Sequence, residues 1–294
     1  MKKKRIFLLF LLPAFVFFCS ILVCIYALIE FADITVSRPG SGKHRPAVDD
    51  GQGAKRSTDA TQRPRPGRGV QMELSRPKVA IIIDDLGHHS ELDLEFINLD
   101  LPLTLSILPS APFTDVMVQE ATRNAREILL HQPMEPKDYP CVKPGPGALL
   151  LSMNDLEIKA ILDGNLRQLP GARGINNHMG SSFTESPEKM SLFLRELKIR
   201  GLFYIDSRTT KGTVGPEEAK KIGLPAAQRT VFLDNNPNPD VISNQMEHLL
   251  KVARESGSAI GIGHPYSETL EILREYQNSL KSEVIIVPVS QLVR

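Results

Sequence analysis

The chain has 294 residues, 41% of them hydrophobic and 6% aromatic, with 35 Lys plus Arg against 34 Asp plus Glu. That length suffices for one large domain or two small ones, and a formal charge of +1 argues against a nucleic-acid binder working by bulk electrostatics. The near balance conceals two unlike parts: residues 1–69 hold 12 basic and 5 acidic side chains, a net of +7, so the remaining 225 sum to −6.

The N-terminus opens with four charges, Lys2, Lys3, Lys4 and Arg5, followed by a 24-residue uncharged run from Ile6 to Ile29. At about 1.5 Å per residue that run spans a hydrocarbon core of roughly 30 Å, so residues 1–30 read as a basic flank and a transmembrane anchor. A cleaved signal peptide would have an apolar region of roughly 7–15 residues ending in a small-x-small site, and neither is found. Phe18 and Val23 precede Cys19 and Cys24 where a lipoprotein needs a small residue. The basic flank predicts a cytoplasmic N-terminus and a single-pass inner-membrane protein, with the rest of the chain outside the cytoplasm, in the periplasm of a Gram-negative cell. Residues 31–77 read as a tether. Arg38 to Gly69 contains six Gly, four Pro and eight Lys or Arg without a Leu, Ile, Phe or Tyr, so it cannot bury enough apolar surface to order itself.

From Lys78 to Arg294 short apolar runs alternate with helical patterns. The predicted strands are 78–84, 103–108, 127–131, 172–178, 201–206, 229–234, 258–264 and 283–288, and the predicted helices 113–126, 153–169, 187–200, 240–256 and 267–280. Ser152 and Ser186 read as helix starts. Strands so uniformly apolar are buried on both faces, the habit of parallel sheets covered by helices. Seven or eight such units suit an irregular (β/α) barrel of mostly parallel strands; a doubly wound open sheet is the alternative. The third cysteine, Cys141, stands alone in a Pro/Gly loop, so the domain has neither a disulfide framework nor a Cys cluster for zinc.

Polar residues gather where strands end: Asp84-Asp85, His131, Asn176-Asn177-His178, Asp206, Asp234 and His264. In a parallel barrel these ends emerge on one face. Each alone is an ordinary turn or core residue, but three histidines and a double Asp on four strands form a set. A carboxylate with two imidazoles suits Zn²⁺ or another divalent transition ion, and a second carboxylate can act as base. No dinucleotide or phosphate loop is present, and Ser181 lacks the glycine-flanked elbow of a serine hydrolase. Metal-assisted hydrolysis fits these residues best.

The segments IIIDDLG (81–87), LLHQPMEP (129–136), GINNHMGS (174–181), YIDSRT (204–209) and IGHP (262–265) together resemble the divergent polysaccharide deacetylase family, in order and over nearly all of 78–294. The resemblance implies a distorted (β/α) barrel that removes acetyl groups from N-acetylated sugars with an Asp-His-His metal site. It implies Asp84 as base, Asp85 and His131 as ligands and His264 as general acid. The main deacetylases take their second histidine four residues after the first; here that position is Glu135. His178 is then the expected third ligand, with Glu135 and His264 as alternatives. Asn176, Asn177, Asp206, Arg208 and Glu135 are expected to support the site or contact substrate. Three functions compete: an anchored hydrolase of an envelope glycan or its fragments, a non-catalytic glycan-binding or scaffolding protein, and a hydrolase of another ester or amide. The absence of Trp weakens a long sugar platform and leaves small fragments as the expected ligands.

Overall fold

A computed structural model describes residues 76–294, all within one compact unit. The predicted anchor and most of the predicted tether lie outside the described residues, and among those described no helix is long and apolar enough to cross a membrane. The chain runs β1 (Lys78–Leu86), α1 (Ser90–Asn98), β2 (Thr104–Ile107), α2 (Thr114–Arg123), β3 (Glu127–Met134), α3 (Asp155–Gln168), β4 (Gly174–Met179), α4 (Pro187–Ile199) and β5 (Phe203–Asp206). It continues through α5 (Gly215–Ile222), β6 (Ala226–Gln228), β7 (Val231–Phe232), α6 (Pro239–Ser256), β8 (Ser258–Gly263), α7 (Ser267–Glu283) and β9 (Ile285–Ile286).

The sheet order is β6-β5-β4-β3-β2-β1-β8-β7, with β9 added beside β1, and the strands pair parallel throughout. An open doubly wound sheet reverses direction at a switch point; here neighbours follow chain order from β1 to β6, which is the winding of a barrel. Of the predicted strand 229–234 only Val231–Phe232 is strand, and the unpredicted β6 (Ala226–Gln228) precedes it, because segment 226–232 crosses from one sheet edge to the other. Its first residues pair with β5 and its last with β8. Between them Arg229 N donates to Asp206 O at 2.9 Å and Thr230 N to Ile260 O at 2.9 Å. One stretch of backbone therefore joins both edges of the barrel-like sheet.

Strand alternation sorts the apolar residues into two layers. Val79, Ile81 and Ile83 of β1 pack with helix residues such as Phe96 and Leu249 outside, whereas Ala80 and Ile82 pack inside with Leu129, Phe203, Ile205, Ile260 and Ile262. The C-terminal segment closes the floor: buried Val289 joins the inner cluster, and its N–H donates to Thr104 Oγ1 at 3.0 Å. Gly174 stands beside Phe203 in register, and a Cβ there would lie 2.5 Å from the phenyl ring. Gly174→Ala is therefore expected to cost about 1–3 kcal/mol through overpacking. Thermal denaturation should show the loss, and adding Phe203→Leu should restore part of it; no recovery would mean the ring is not the cause.

Two helices went unread and one start was misplaced. α3 begins at Asp155 instead of after Ser152, because Asn154 accepts from Leu156 N and Glu157 N while Glu157 reaches back to Asn154 N, a full capping box. Ser186 does cap α4 ahead of Pro187. α1 and α5 are short, and the second opens on Gly215-Pro216, which reads as a turn. α1 is held instead by buried Asp93, whose carboxylate accepts from Gly87 N at 2.7 Å and His89 N at 3.2 Å.

Candidate metal centre

The site lies at the carboxyl ends of the strands. Consecutive strand residues face opposite sides of a sheet, so Asp84 and Asp85 could not both enter the barrel mouth from regular β1. The β1–β2 register shifts between Ile83 and Leu86, and Asp85 adopts φ 58, a left-handed conformation that Asp tolerates better than most residues. Both carboxylates consequently line one cavity. On the neighbouring strands His131 pairs with Asn176, and two residues further His178 falls on the same face of β4.

Asp85 Oδ1 lies 3.0 Å from His131 Nε2 and 2.8 Å from His178 Nδ1, and the two nitrogens are 3.3 Å apart. These atoms form the one Asp/His group of the described residues with the spacing of a cation site. Two tests favour a metal. The buried Oδ1 of Asp85 has no hydrogen bond although two ring nitrogens surround it, as expected of ligand atoms aimed at a common point. Second, His131 is oriented from behind: its Nδ1 faces Asn176 Oδ1 at 2.9 Å, which also accepts from Ser106 Oγ at 2.5 Å, while Asn176 Nδ2 donates to Asp84 Oδ1 at 2.7 Å. Nδ1 therefore carries the proton and Nε2 turns its lone pair to the cluster, the outer-shell arrangement of histidine ligands. Ligand atoms on bonds of about 2.1 Å stand roughly 3.4 Å apart at tetrahedral angles, so the residues present fit a divalent transition ion after small adjustments.

Electrostatics agree. Burial alone would raise the Asp85 carboxyl, but the imidazoles beside it outweigh burial and hold it far below the usual carboxylate range. Burial likewise works against a charged His131, yet Asp84, Asp85 and Asn176 raise its pKa. Protons thus stabilise the cluster in the place a cation would take, and metal binding displaces them.

Across the cavity His264 Nε2 approaches Asp85 Oδ2 to 3.9 Å. Its Nδ1 is 2.8 Å from Asp234 Oδ1, and its backbone N–H donates to Asp234 Oδ2 at 2.5 Å. Asp234 is buried and also accepts from Thr269 Oγ1 at 2.8 Å. Burial disfavours the imidazolium, but Asp234 prevails and the His264 pKa is pushed up to about 9.

The other expected residues divide. Glu135, the alternative ligand, belongs to the loop after β3: its carboxylate accepts from Leu151 N at 2.8 Å and it is not part of the cluster. Asn177 ties β4 to β5, its Oδ1 accepting from Tyr204 Oη and Ser207 N, each at 2.9 Å. Asp206, expected to support the site, accepts from Arg208 N at 2.7 Å and Thr213 Oγ1 at 2.6 Å, which anchors the loop. Arg208 itself lines the cavity. Ser106 and Arg229 were missing from the expected site, and Asp234 was named at a strand end but given no role. Asp234 carried a signal, a strand-end acid before the histidine-ending strand, whereas Ser106 sat unmarked in an apolar run. Cys141 is exposed.

The cavity over the cluster has a volume of about 350 Å³, the scale of a small ligand. An uncharacterized protein of Haemophilus influenzae is 33% identical over 225 residues, covering 76% of this chain and 80% of the relative. Escherichia coli K12 YibQ, also uncharacterized, is 31% identical over 217 residues, covering 74% and 67%. The crystal structure of an uncharacterized Agrobacterium tumefaciens C58 protein superposes with a TM-score of 0.69 at 27% identity, over 74% of this chain and 89% of that one. With a family model described as divergent polysaccharide deacetylase matching residues 81–293, the chain belongs to that family.

Proposed function

We propose that this protein is a membrane-anchored, metal-dependent hydrolase that removes acetyl groups from N-acetylated sugars of the cell envelope. The observation that supports it most is that Asp84 and the Asp234-backed His264 both line the cavity above the Asp85–His131–His178 cluster. Asp85, His131 and His178 would hold a divalent ion, Zn²⁺ being the best match to the donor set, and such an ion would supply Lewis acidity toward a water and the acetamide carbonyl. Asp84, 3% exposed and held by Asn176, takes the proton as the water attacks. His264, kept protonated by Asp234, gives a proton to the nitrogen as the C–N bond breaks, and acetate and a free amine leave. The Ile6–Ile29 run serves as the anchor and residues 31–77 as the tether, placing the domain in the periplasm of a Gram-negative cell.

The test is metal analysis of the purified full chain together with acetate release from N-acetylglucosamine oligomers and muropeptides. One bound Zn²⁺, loss of acetate release with chelator and recovery with Zn²⁺ are expected. Stoichiometric metal and tight sugar binding without any acetate would instead support the non-catalytic scaffold.

A further inference from the structure

The cavity carries two guanidinium groups that the proposed hydrolysis does not use. Arg208 and Arg229 both line it, and neither is within ion-pair distance of a carboxylate among the described residues. Their placement is built. Arg208 has φ 52, uncommon for a residue with a side chain, and this conformation is fixed from both sides. Its N–H donates to Asp206 Oδ1, its carbonyl accepts from Arg229 Nη2 at 2.9 Å, and Ser207 O accepts from Arg229 Nε at 2.7 Å. Thr209 Oγ1 pins the next residue to Met179 O at 2.8 Å. The Arg229 guanidinium in turn lies 4.4 Å over the Phe232 ring. The two like charges are close enough that, after burial, Arg208 is the largest influence lowering the Arg229 pKa.

The charge balance then points to a ligand. The carboxylates lining the cavity are Asp84 and Asp85, the second committed to the cation, while His264 is neutralised from behind by Asp234. A dication, two guanidiniums and two carboxylates sum to +2, and counting buried Asp206 beside the arginines still leaves the site net positive, in a chain whose residues after 69 sum to −6. Guanidiniums without a carboxylate partner over a small cavity match the oxygens of a carboxylate or phosphate, Arg208 with its whole fork and Arg229 with the donors left over from its two backbone bonds.

We propose that the substrate is an acidic N-acetylated sugar, one bearing a carboxylate or phosphate that Arg208 and Arg229 hold while the acetamide faces the metal cluster. This rests on the deacetylase reading above but is separable from it, because selectivity can be measured by binding alone.

Calorimetry on the full chain, metal-free and Zn²⁺-loaded, would compare three probes: N-acetylmuramic acid for the carboxylate, N-acetylglucosamine 6-phosphate for the phosphate, and neutral N-acetylglucosamine. At least one acidic probe should bind roughly tenfold or more tighter than the neutral one, the scale of one charge-assisted hydrogen bond. The arm that wins identifies the anion. Arg208→Gln should shrink that preference to below about threefold, with melting temperature and Zn²⁺ stoichiometry retained, and Arg208→Lys should recover only part of it. Equal affinity for all three probes, or a preference untouched by both Arg208→Gln and Arg229→Gln, overturns the proposal. Selective binding without acetate release would sink the hydrolase reading and leave the acidic-ligand assignment standing.

Discussion

Zn²⁺ binding to the full-length chain is expected to disappear on His131→Gln, His178→Gln or Asp85→Asn. Each removes one of the three ligand atoms that converge in the cluster. Asn is the better replacement at position 85, because an Ala at φ 58 would add backbone strain to the loss of the ligand. The surrounding residues give a graded control. Asn176→Ala deletes the group that orients His131 and holds Asp84, yet leaves all three ligands, so affinity should fall about 10–100-fold without vanishing. Glu135→Ala should leave stoichiometry unchanged, since that carboxylate is spent on Leu151 N. Isothermal titration of the five variants and the wild type would decide it. Full-strength binding by His178→Gln, or release of metal by Glu135→Ala, would show that the ligand set is wrong.

The second large effect is expected at Asp234. Asn is nearly the same size but lacks the charge, so the imidazolium of His264 loses its counter-ion while Thr269 and the backbone contact remain near. General-acid help contributes about 10²–10⁴-fold to rate, and Asp234→Asn should forfeit much of that in kcat with little change in KM. The pH dependence has a defined direction. In the proposed mechanism His264 acts protonated, its pKa is raised to about 9, and the alkaline limb of activity is therefore expected to fall as pH climbs through that value. A cation on Asp85 offsets that carboxylate's pull, which leaves Asp234 as the main holder of the proton. Asp234→Asn should bring the alkaline fall to lower pH, and His264→Gln should abolish that limb along with most turnover while retaining metal. An unmoved alkaline limb in Asp234→Asn would show that another group donates the proton.

Much of this site was legible in the linear chain because a parallel barrel converts a one-dimensional regularity into a face: polar residues that end apolar runs come together wherever strands run side by side. Asp85, His131 and His178 follow from that regularity. The parts that were not legible depend on curvature. Ser106 looks like one more member of LTLSIL until the turn of the sheet sets it beside Asn176, seventy residues on. The pair of short strands at 226–228 and 231–232 arises because one segment has to serve both sheet edges, and no local preference of Thr230 or Val231 announces it. Asp206 and Arg208 are adjacent enough to suggest an ion pair, but the left-handed Arg208 presents its N–H to the carboxylate and sends its side chain elsewhere. Local chemistry named the residues, and only the curved sheet assigned their directions.

Segment 226–232 has a consequence for how the mouth of the barrel can vary. The Asp/His cluster stands on β1, β3 and β4, strands of nine, eight and six residues, with β2 between the first two. The opposite wall, where Arg229 and Phe232 stand, is carried by strands of three and two residues linked across the seam by single backbone bonds. Short ladders open at lower free energy than long ones. The molecule therefore resembles a vice with one long-footed and one short-footed jaw: the residues proposed to hold the metal stand on the longer strands, and the wall that carries Arg229 is the one expected to yield to ligands of different girth.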